Sequence, residues 1–385
     1  MKAAWPESGC WEGEPSSTSG TASKVPKVDN IGFQQPGWRI HRMEYSNKTV
    51  VGVDTAKRVF QLHWMEPGGE LVDLKLSRQK FQEHFANRAP CRIGLEACGG
   101  SQEWARRFRR MGHEVMVLPA QSVRAFVTGN KSDVQDARAI WTAVQHPRAK
   151  AVAIKDEEQQ MILGLHRMRQ QQVKFRTATI NCLRGLLSEY GEVMPKGRAG
   201  LSREIEGVLA RLTSRLPELG LEELRRQWGR VQDYDDAIAR IERKLEVWSE
   251  SHEACRRLRA VPGIGLLTAT ALVAAVGDAR VFRNGREFAA WLGLVPRHRG
   301  TGGKTRTLGI SKRGDRYLRT LLIHGARALL VNGKDLPDWT EKIKQNKPFN
   351  VALVAVANRQ ARIVWALLAH DREYRKDYVS PPPRG

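Results

Sequence analysis

Hydrophobic positions fall into three successive regimes along the chain, and each predicts a different kind of element. From residue 49 the apolar runs are short and rich in β-branched residues: "TVVGVD", then "VFQLHWM", then "LVDLKL", the last two separated by "PGGE". Runs of this length bounded by Gly and Pro read as strands, with "PGGE" as a hairpin turn. A helical stretch, "SRQKFQEHFANR", follows, and then the strand "CRIGLEA". Next come a helix with Ser101 as its N-cap, the strand "EVMVLP" and a helix over "SDVQDARAIWTAVQ". Three meandering strands and then helix–strand–helix–strand is the order expected of a ribonuclease H-like mixed sheet, and it is also compatible with other α/β arrangements. The fold class predicted is therefore α/β plus α.

Between about 156 and 255 the period lengthens. Met161, Leu165, Met168, Phe175 and Leu183, then Leu221, Leu224, Val231, Ile238, Ile241 and Leu245, recur at helical spacings on either side of "GEVMPKGRAG". A long helical hairpin or coiled coil is expected there. The third regime opens at "RAVPGIGLLTATALVAAVGD", where Pro262, Gly263 and Gly265 predict a tight turn ahead of a helix. Such a turn either offers backbone N–H groups to a phosphate or simply packs two helices. A glycine-bearing loop, "RHRGTGGKTRTLG", leads into the helix "SKRGDRYLRTLLIHGARALLV", and a last helix runs through "NVALVAVANRQARIVWALLAH". The domains expected are thus 48–150, 155–255 and 256–375. Residues 1–42, rich in Ser, Gly, Pro and Glu, and the tail 376–385, with its "SPPPRG", are expected to be disordered. Met43 opens "MEYSNKTVVGVD" like a natural start, so 1–42 are expected to be an upstream extension.

Charge changes the picture. The 385 residues hold 64 Lys and Arg against 41 Asp and Glu, a formal net charge of +23. Such an excess points to a polyanion, most simply nucleic acid. An anionic membrane surface would call for a basic amphipathic helix or a lipid anchor, and neither stands out. No apolar run is expected to reach the ~18 residues of a membrane span, and the N-terminus lacks a signal peptide's apolar core, so a cytoplasmic protein is expected. Cys10, Cys91, Cys98, Cys182 and Cys255 form no C-x-x-C pair. They read as reduced, mostly buried thiols, not zinc ligands.

Within this basic chain, "GNKSDVQDARAI" sets Asp133 and Asp136 three residues apart, between Lys131 and Arg138. On a helix they share a face and repel unless a cation lies between them. The simpler reading is a solvated helix start, with acids near its positive end. Asp54 ends the first strand, and Glu96 ends "RIGLE" just before Gly99 and Gly100. If the first and fourth strands are adjacent, Asp54 and Glu96 approach one another, and a helix packed beside them adds Asp133 and Asp136. Four converging carboxylates call for cations, and hard oxygen donors suit Mg²⁺ or Mn²⁺. Paired ions of that kind serve in-line attack at a phosphodiester.

These segments carry a resemblance. "VGVDTAK", "GLEACGG" and "KSDVQDARA" resemble the DEDD motifs of the insertion-sequence "one-ten" transposases, relatives of the Piv DNA invertases. The N-terminal domain of those transposases is similar to the RuvC resolvase. The likeness continues through "VPGIGLLTATAL", "FAAWLGLVPR" and "GGKTRTLGISKRGDRYLRTLLIHGARA", spanning about 48–330. It implies a recombinase, guided by a structured bridge RNA, that cuts and rejoins DNA at the ends of a mobile element and at its target. It further implies a homo-oligomer, dimer or tetramer, with Asp54, Glu96, Asp133 and Asp136 as the metal ligands. A C-terminal serine linked covalently to DNA belongs to the same pattern. Where the family shows Ser-Gly or Ser-Ser-Gly-Gly after "GLVPR", this chain has Arg299-Gly300-Thr301-Gly302-Gly303. The serine's place falls on Gly300 or Thr301, and Thr301 supplies the hydroxyl. Ser311 reads instead as the N-cap of the next helix.

Eight basic residues crowd this region (Arg297, Arg299, Lys304, Arg306, Lys312, Arg313, Arg316, Arg319) against one acid, Asp315. A solvated helix face would explain a charge run; loop glycines beside arginines favour phosphate contacts to DNA or RNA. His41, His63, His166, His298 and His324 show no metal-ligand spacing. Trp104, Trp141 and Trp291 fall on apolar helical faces and read as core. Two rivals remain. One is a metal-dependent nuclease or Holliday-junction resolvase using the N-terminal domain without a covalent intermediate. The other is a basic nucleic-acid-binding protein whose acids are structural.

Overall fold

Alternation along "VVGVDT" sends Val51 and Val53 to one face of a strand and Gly52 and Asp54 to the other. That division organises the N-terminal part of a computed structural model that describes residues 48–130, 132–333 and 336–376. The expectations for residues 1–42, for Lys131 and for the tail from 377 lie outside the described residues. Strand β1 (Val50–Thr55) pairs antiparallel with β2 (Val59–Met65), which returns antiparallel into β3 (Leu71–Ser77). The "PGGE" segment makes the turn: Glu66 N–H donates to the Glu70 carbonyl, and Gly69 takes a φ of 88°. After α1 (Arg78–Ala86), β4 (Arg92–Glu96) joins the other side of β1 in parallel, and α2 (Ser101–Arg110) leads to a parallel β5 (Glu114–Leu118). The sheet order is β3-β2-β1-β4-β5, with β1 beside β4 as expected.

The two faces are covered differently. Val51, Val53, Phe60, Leu62 and Leu95 pack under α1 and α2 with Phe81, Phe85, Trp104 and Phe108. The other face receives α3 (Ala120–Arg124), which the hydrophobic pattern does not announce, and α4 (Asp133–Gln145). Gly100, at φ 90°, caps α2 in place of Ser101. Ser101 is the first helical residue; its hydroxyl donates to the Cys98 carbonyl at 2.9 Å and accepts from the Cys98 N–H at 3.2 Å.

Val152 bridges to Val117 at the sheet edge, and Lys150 pairs with Glu287 further along the chain. The segment between is thus tied both to the sheet and to Glu287. Asp156 then caps α5 (Glu157–Glu189) in a capping box with Gln159. α6 (Arg198–Leu212) and α7 (Glu218–Ser251) follow. Arg169–Glu242 and Arg176–Asp235 pair α5 with an antiparallel α7, as a helical hairpin requires. Leu183, Leu221, Leu224, Val231, Ile238 and Leu245 are buried, but Met161, Met168 and Phe175 are exposed. The packed face of α5 instead starts from Ile162 and His166, one register away, because those residues meet the helix Leu266–Val276 as well as α7. The third helix, α6, closes a core of Leu183, Leu187, Leu201, Ile205 and Trp228.

The C-terminal part comprises α8 (Glu253–Arg259), α9 (Leu266–Val276), α10 (Gly285–Trp291), β6 (Pro296–Thr301), β7 (Lys304–Ile310), α11 (Arg316–Asn332), α12 (Asp338–Asn346) and α13 (Phe349–His370). Leu258, Leu272, Phe288, Leu322, Val356 and Val364 sit in its core. The turn before α9 is a packing element: Gly263, at φ 83°, abuts Gly325 of α11, and Gln360 donates to the Pro262 carbonyl at 2.9 Å. By composition α13 is long and apolar enough to cross a membrane, with mean hydropathy 1.4, contrary to the expectation that no run reaches that length. Its buried face, including Ala357, Ala361 and Val364, belongs to this core. Cys91 and Cys255 are buried, Cys98 and Cys182 exposed, and all four are free thiols.

Candidate functional site

Two glycines set the site. Gly52 of β1 and Gly94 of β4 are register partners, leaving a shallow trough on the sheet face that carries Asp54 and Glu96. Helix α4 lies in it. A Cβ on Gly52 would stand 2.5 Å from the Trp141 backbone nitrogen, and one on Gly94 would collide with the Val144 side chain. The Trp141 indole N–H donates to the Val50 carbonyl at 3.1 Å. With Trp141 near Val50 and Ala137 above Gly52, α4 runs antiparallel to β1. Its first turn, bearing Asp133 and Asp136, therefore overhangs the end of the strand at Asp54. Ser132 caps that turn, its hydroxyl accepting from the Gln135 N–H at 3.3 Å. The strand ends themselves meet, since Thr55 and Cys98, just past Asp54 and Glu96, are hydrogen-bonded at 2.9 Å. Gln61, buried opposite Asp54 on β2, was not singled out by its sequence context.

The electrostatics follow from that geometry. Burial, then the charges of Asp136, Asp133 and Glu96 in that order, push the half-buried Asp54 carboxyl up to about 6 from an ordinary 3.8; a hydrogen bond from the Thr55 backbone opposes them. A helix start accounts for acids in the first turn of α4. It does not account for their charges adding to burial, the larger cause, in raising the carboxyl of an acid on a neighbouring strand end. Hard carboxylate oxygens are the donors that Mg²⁺ and Mn²⁺ take, and a divalent cation relieves this repulsion. Among the described residues, no three His, Cys, Asp or Glu side chains are drawn together at metal-ligand spacing. The donor chemistry, four carboxylates, is of the kind such an ion takes.

The second feature differs from its sequence reading. The "RHRGTGGKTRTLG" segment is an antiparallel hairpin of β6 and β7, not a loop. Gly302 and Gly303, at φ 55° and 77°, form its two-residue turn, a geometry that requires positive φ at both positions. Every residue of β6 is exposed, Thr301 at its end included, as are Arg297, Arg299, Lys304, Arg306, Lys312, Arg313 and Arg316. Arg319 departs from that set. It is 8% exposed, and its guanidinium donates to the carbonyls of Leu292 and Arg313 at 3.1 and 3.0 Å, which anchors the base of the hairpin. Asp315 caps α11 in place of Ser311, accepting from the Tyr317 and Leu318 N–H groups. The Ser311 hydroxyl is shielded from solvent without a hydrogen-bond partner among the described residues. Of the two hydroxyls, Thr301 is the accessible one.

Sequence comparison assigns both segments to transposase families. Residues 51–192, which carry the four acids, match a family model for transposases, DEDD_Tnp_IS110; residues 255–341, which carry the hairpin, match one described as "Transposase IS116/IS110/IS902 family". The chain is 43% identical over 335 residues to the "Probable family 20 transposase" of Pseudomonas aeruginosa, covering 86% of this chain and 99% of that one. It is 39% identical over 337 residues to the transposase for insertion sequence element IS1111A of Coxiella burnetii, covering 85% and 91%. Against the transposase for insertion sequence element IS1328 of Yersinia enterocolitica it is 34% identical over 343 residues, covering 86% and 99%. The chain belongs to the IS116/IS110/IS902 transposase family, whose members are DNA-cleaving and rejoining enzymes.

Proposed function

We propose that this transposase cuts and rejoins DNA at the ends of its element and at a target by divalent-metal-dependent strand exchange, with a structured RNA as guide. The observation that carries this reading is the meeting of the β1 and β4 ends, beside Asp54 and Glu96, with α4, whose first turn holds Asp133 and Asp136, packed on the same sheet face. In this reading Asp54, Glu96, Asp133 and Asp136 hold Mg²⁺ or Mn²⁺ within a RuvC-like, ribonuclease H-like domain of residues 48–150. When bound, the metal would supply Lewis-acid stabilisation of charge at a scissile phosphate. The chain's own acids would orient it, and Arg297, Arg299, Lys304, Arg306, Lys312, Arg313 and Arg316 would hold nucleic-acid backbone. The 155–255 segment acts as a helical linker to a C-terminal domain of 256–375, and the working unit is a homo-oligomer in the cytoplasm.

Thr301 is the proposed nucleophile. Its Oγ–phosphorus bond forms as one backbone phosphorus–oxygen bond breaks, and the proton lost by the hydroxyl ends on the departing oxygen. Its exposure at the hairpin turn supports this role. Incubation with end-labelled element DNA, guide RNA and Mg²⁺, followed by denaturing electrophoresis, tests the proposal. Label should stay on the wild-type protein and on Ser311→Ala, and be absent from Thr301→Ala and Asp54→Asn. Cleavage with free label in wild type and Thr301→Ala alike would mark a simple nuclease. Unaltered strand exchange in Asp54→Asn would remove the metal site from the account.

A further inference from the structure

Asp73 stands on β3, two strands from Asp54, and is no member of the carboxylate set. It nevertheless shares a sheet face with it: the pairs His63↔Asp73 and Gly52↔His63 put Asp73, His63 and Gly52 in one row across the strands. There the His63 ring N–H donates to Asp73 Oδ1 at 2.8 Å, and the Arg138 guanidinium of α4 donates to Oδ2 at 2.5 Å. His63 is 2% exposed and meets Trp141 edge-on, ring centroids 5.3 Å apart. Burial alone would raise the Asp73 carboxyl, but the hydrogen bonds from Arg138 and His63 outweigh it and hold the group below the usual carboxylate range. The Arg138 Nε is screened from solvent with no partner among the described residues, while the rest of the side chain reaches solvent.

Surface ion pairs generally add little to stability. This one has a geometric consequence instead. At about 100° per residue, Arg138 and Asp136 lie on opposite flanks of α4. Val144 and Ile140 seat the helix on Gly94 from the Asp136 side, while Asp73 grips Arg138 from the other. These contacts hold α4 on both flanks and oppose its roll, and a roll of α4 would change how far Asp133 and Asp136 lean over Asp54. We propose that Asp73, His63 and Arg138 form a positioning clasp that sets the carboxylates for the divalent ion, an inference that rests on those carboxylates being the metal site.

The test uses the full chain, with Asp73→Asn and Arg138→Gln compared with wild type and Asp54→Asn. The rise in Tm of metal-free protein on titration with Mn²⁺ is measured first, and DNA cleavage against Mn²⁺ concentration second. Loss of partners that orient metal ligands commonly costs about 10–100-fold in metal affinity. The clasp variants should need Mn²⁺ higher by that factor for half of the Tm rise, with cleavage recovering towards the wild-type rate at saturating metal. Arg138→Gln keeps the test open should Asp73→Asn fail to fold, since the Arg138 side chain is 43% exposed. Half-saturation unchanged from wild type in folded variants, while Asp54→Asn loses the Tm rise, overturns the clasp and leaves the metal site standing. A wild-type Tm rise in Asp54→Asn overturns both.

Discussion

Gly52 lies directly beneath Ala137, so close that a methyl group on its α carbon would run into the Ala137 carbonyl oxygen and the backbone nitrogen of Trp141. Backbone cannot retreat as a side-chain end can, so Gly52→Ala must push α4 off the sheet. Overpacking of this kind typically costs about 1–3 kcal/mol. Because α4 carries Asp133 and Asp136, the variant should also lose metal-dependent cleavage beyond what its stability explains. Gly99→Ala, with nothing near its added Cβ, is the control and should remain within about 0.5 kcal/mol of wild type. Urea unfolding and cleavage assays on both variants check this.

Asp54 gives a pH signature. Its carboxyl, raised from 3.8 to about 6, must ionise against burial and three neighbouring acids. A raised folded-state value favours the native state at low pH, and that contribution is lost as pH rises through about 6. Metal-free Asp54→Asn should therefore be more stable than wild type at pH 7.5, with the gap narrowing by pH 4.5. Urea midpoints across this range read it directly. Protons should also compete with Mn²⁺ below about pH 6, weakening its binding to the wild-type protein.

His166 has the opposite sign. Burial first, and Arg169 second, bring its pKa from 6.5 down to about 4. Thr270 donates to the Leu266 carbonyl, so its oxygen accepts from the His166 Nε2–H at 3.0 Å, and Nδ1 accepts from the Tyr317 hydroxyl at 2.9 Å. The neutral ring thereby links α5 to α9 and α11. A depressed value contributes stability above pH 6.5 that is lost as pH falls through 4. His166→Gln should cost about 1–3 kcal/mol at pH 7.5, with a loss that shrinks towards pH 4. Equal losses at both pH values would contradict the assignment of a neutral, buried ring.

The hairpin arginines should separate by burial. Arg299→Ala and Arg306→Ala, both exposed, should each weaken duplex binding and lower the slope of log affinity against log salt by about 0.9 per lost phosphate contact. Arg319→Ala should instead lower Tm, because it leaves the Leu292 and Arg313 carbonyls without their donor. Fluorescence anisotropy at several salt concentrations, beside thermal melts, distinguishes the two outcomes.

How much of this was legible in the sequence depends on what each signal measures. Strand lengths and Gly–Pro punctuation foretell the β-meander, and the strand-end positions of Asp54 and Glu96 follow from it. The trough does not: Gly52 and Gly94 look like interruptions in "VVGVD" and "RIGLE" until the strands pair. Nor does the clasp, whose three members lie 10 and 65 residues apart in chain order. The β6–β7 hairpin escapes a hydrophobic reading because nearly every one of its residues is exposed. Only Gly302 and Gly303, a pair suited to a two-residue turn, could have announced it. Counting basic residues overlooks Arg319, which shares the inward face of α11 with Leu318 and Leu322. The α5 stripe is displaced for a similar reason: helical spacing gives a periodicity, and two partners on different sides select which residues are covered.

The most direct measurement is anomalous diffraction at the manganese edge from crystals of the protein soaked in Mn²⁺. The account predicts anomalous density bonded to Asp54 and shared with Glu96 and the acids opening α4. Density confined to other acids, with Asp54 left unligated at saturating Mn²⁺, would contradict it.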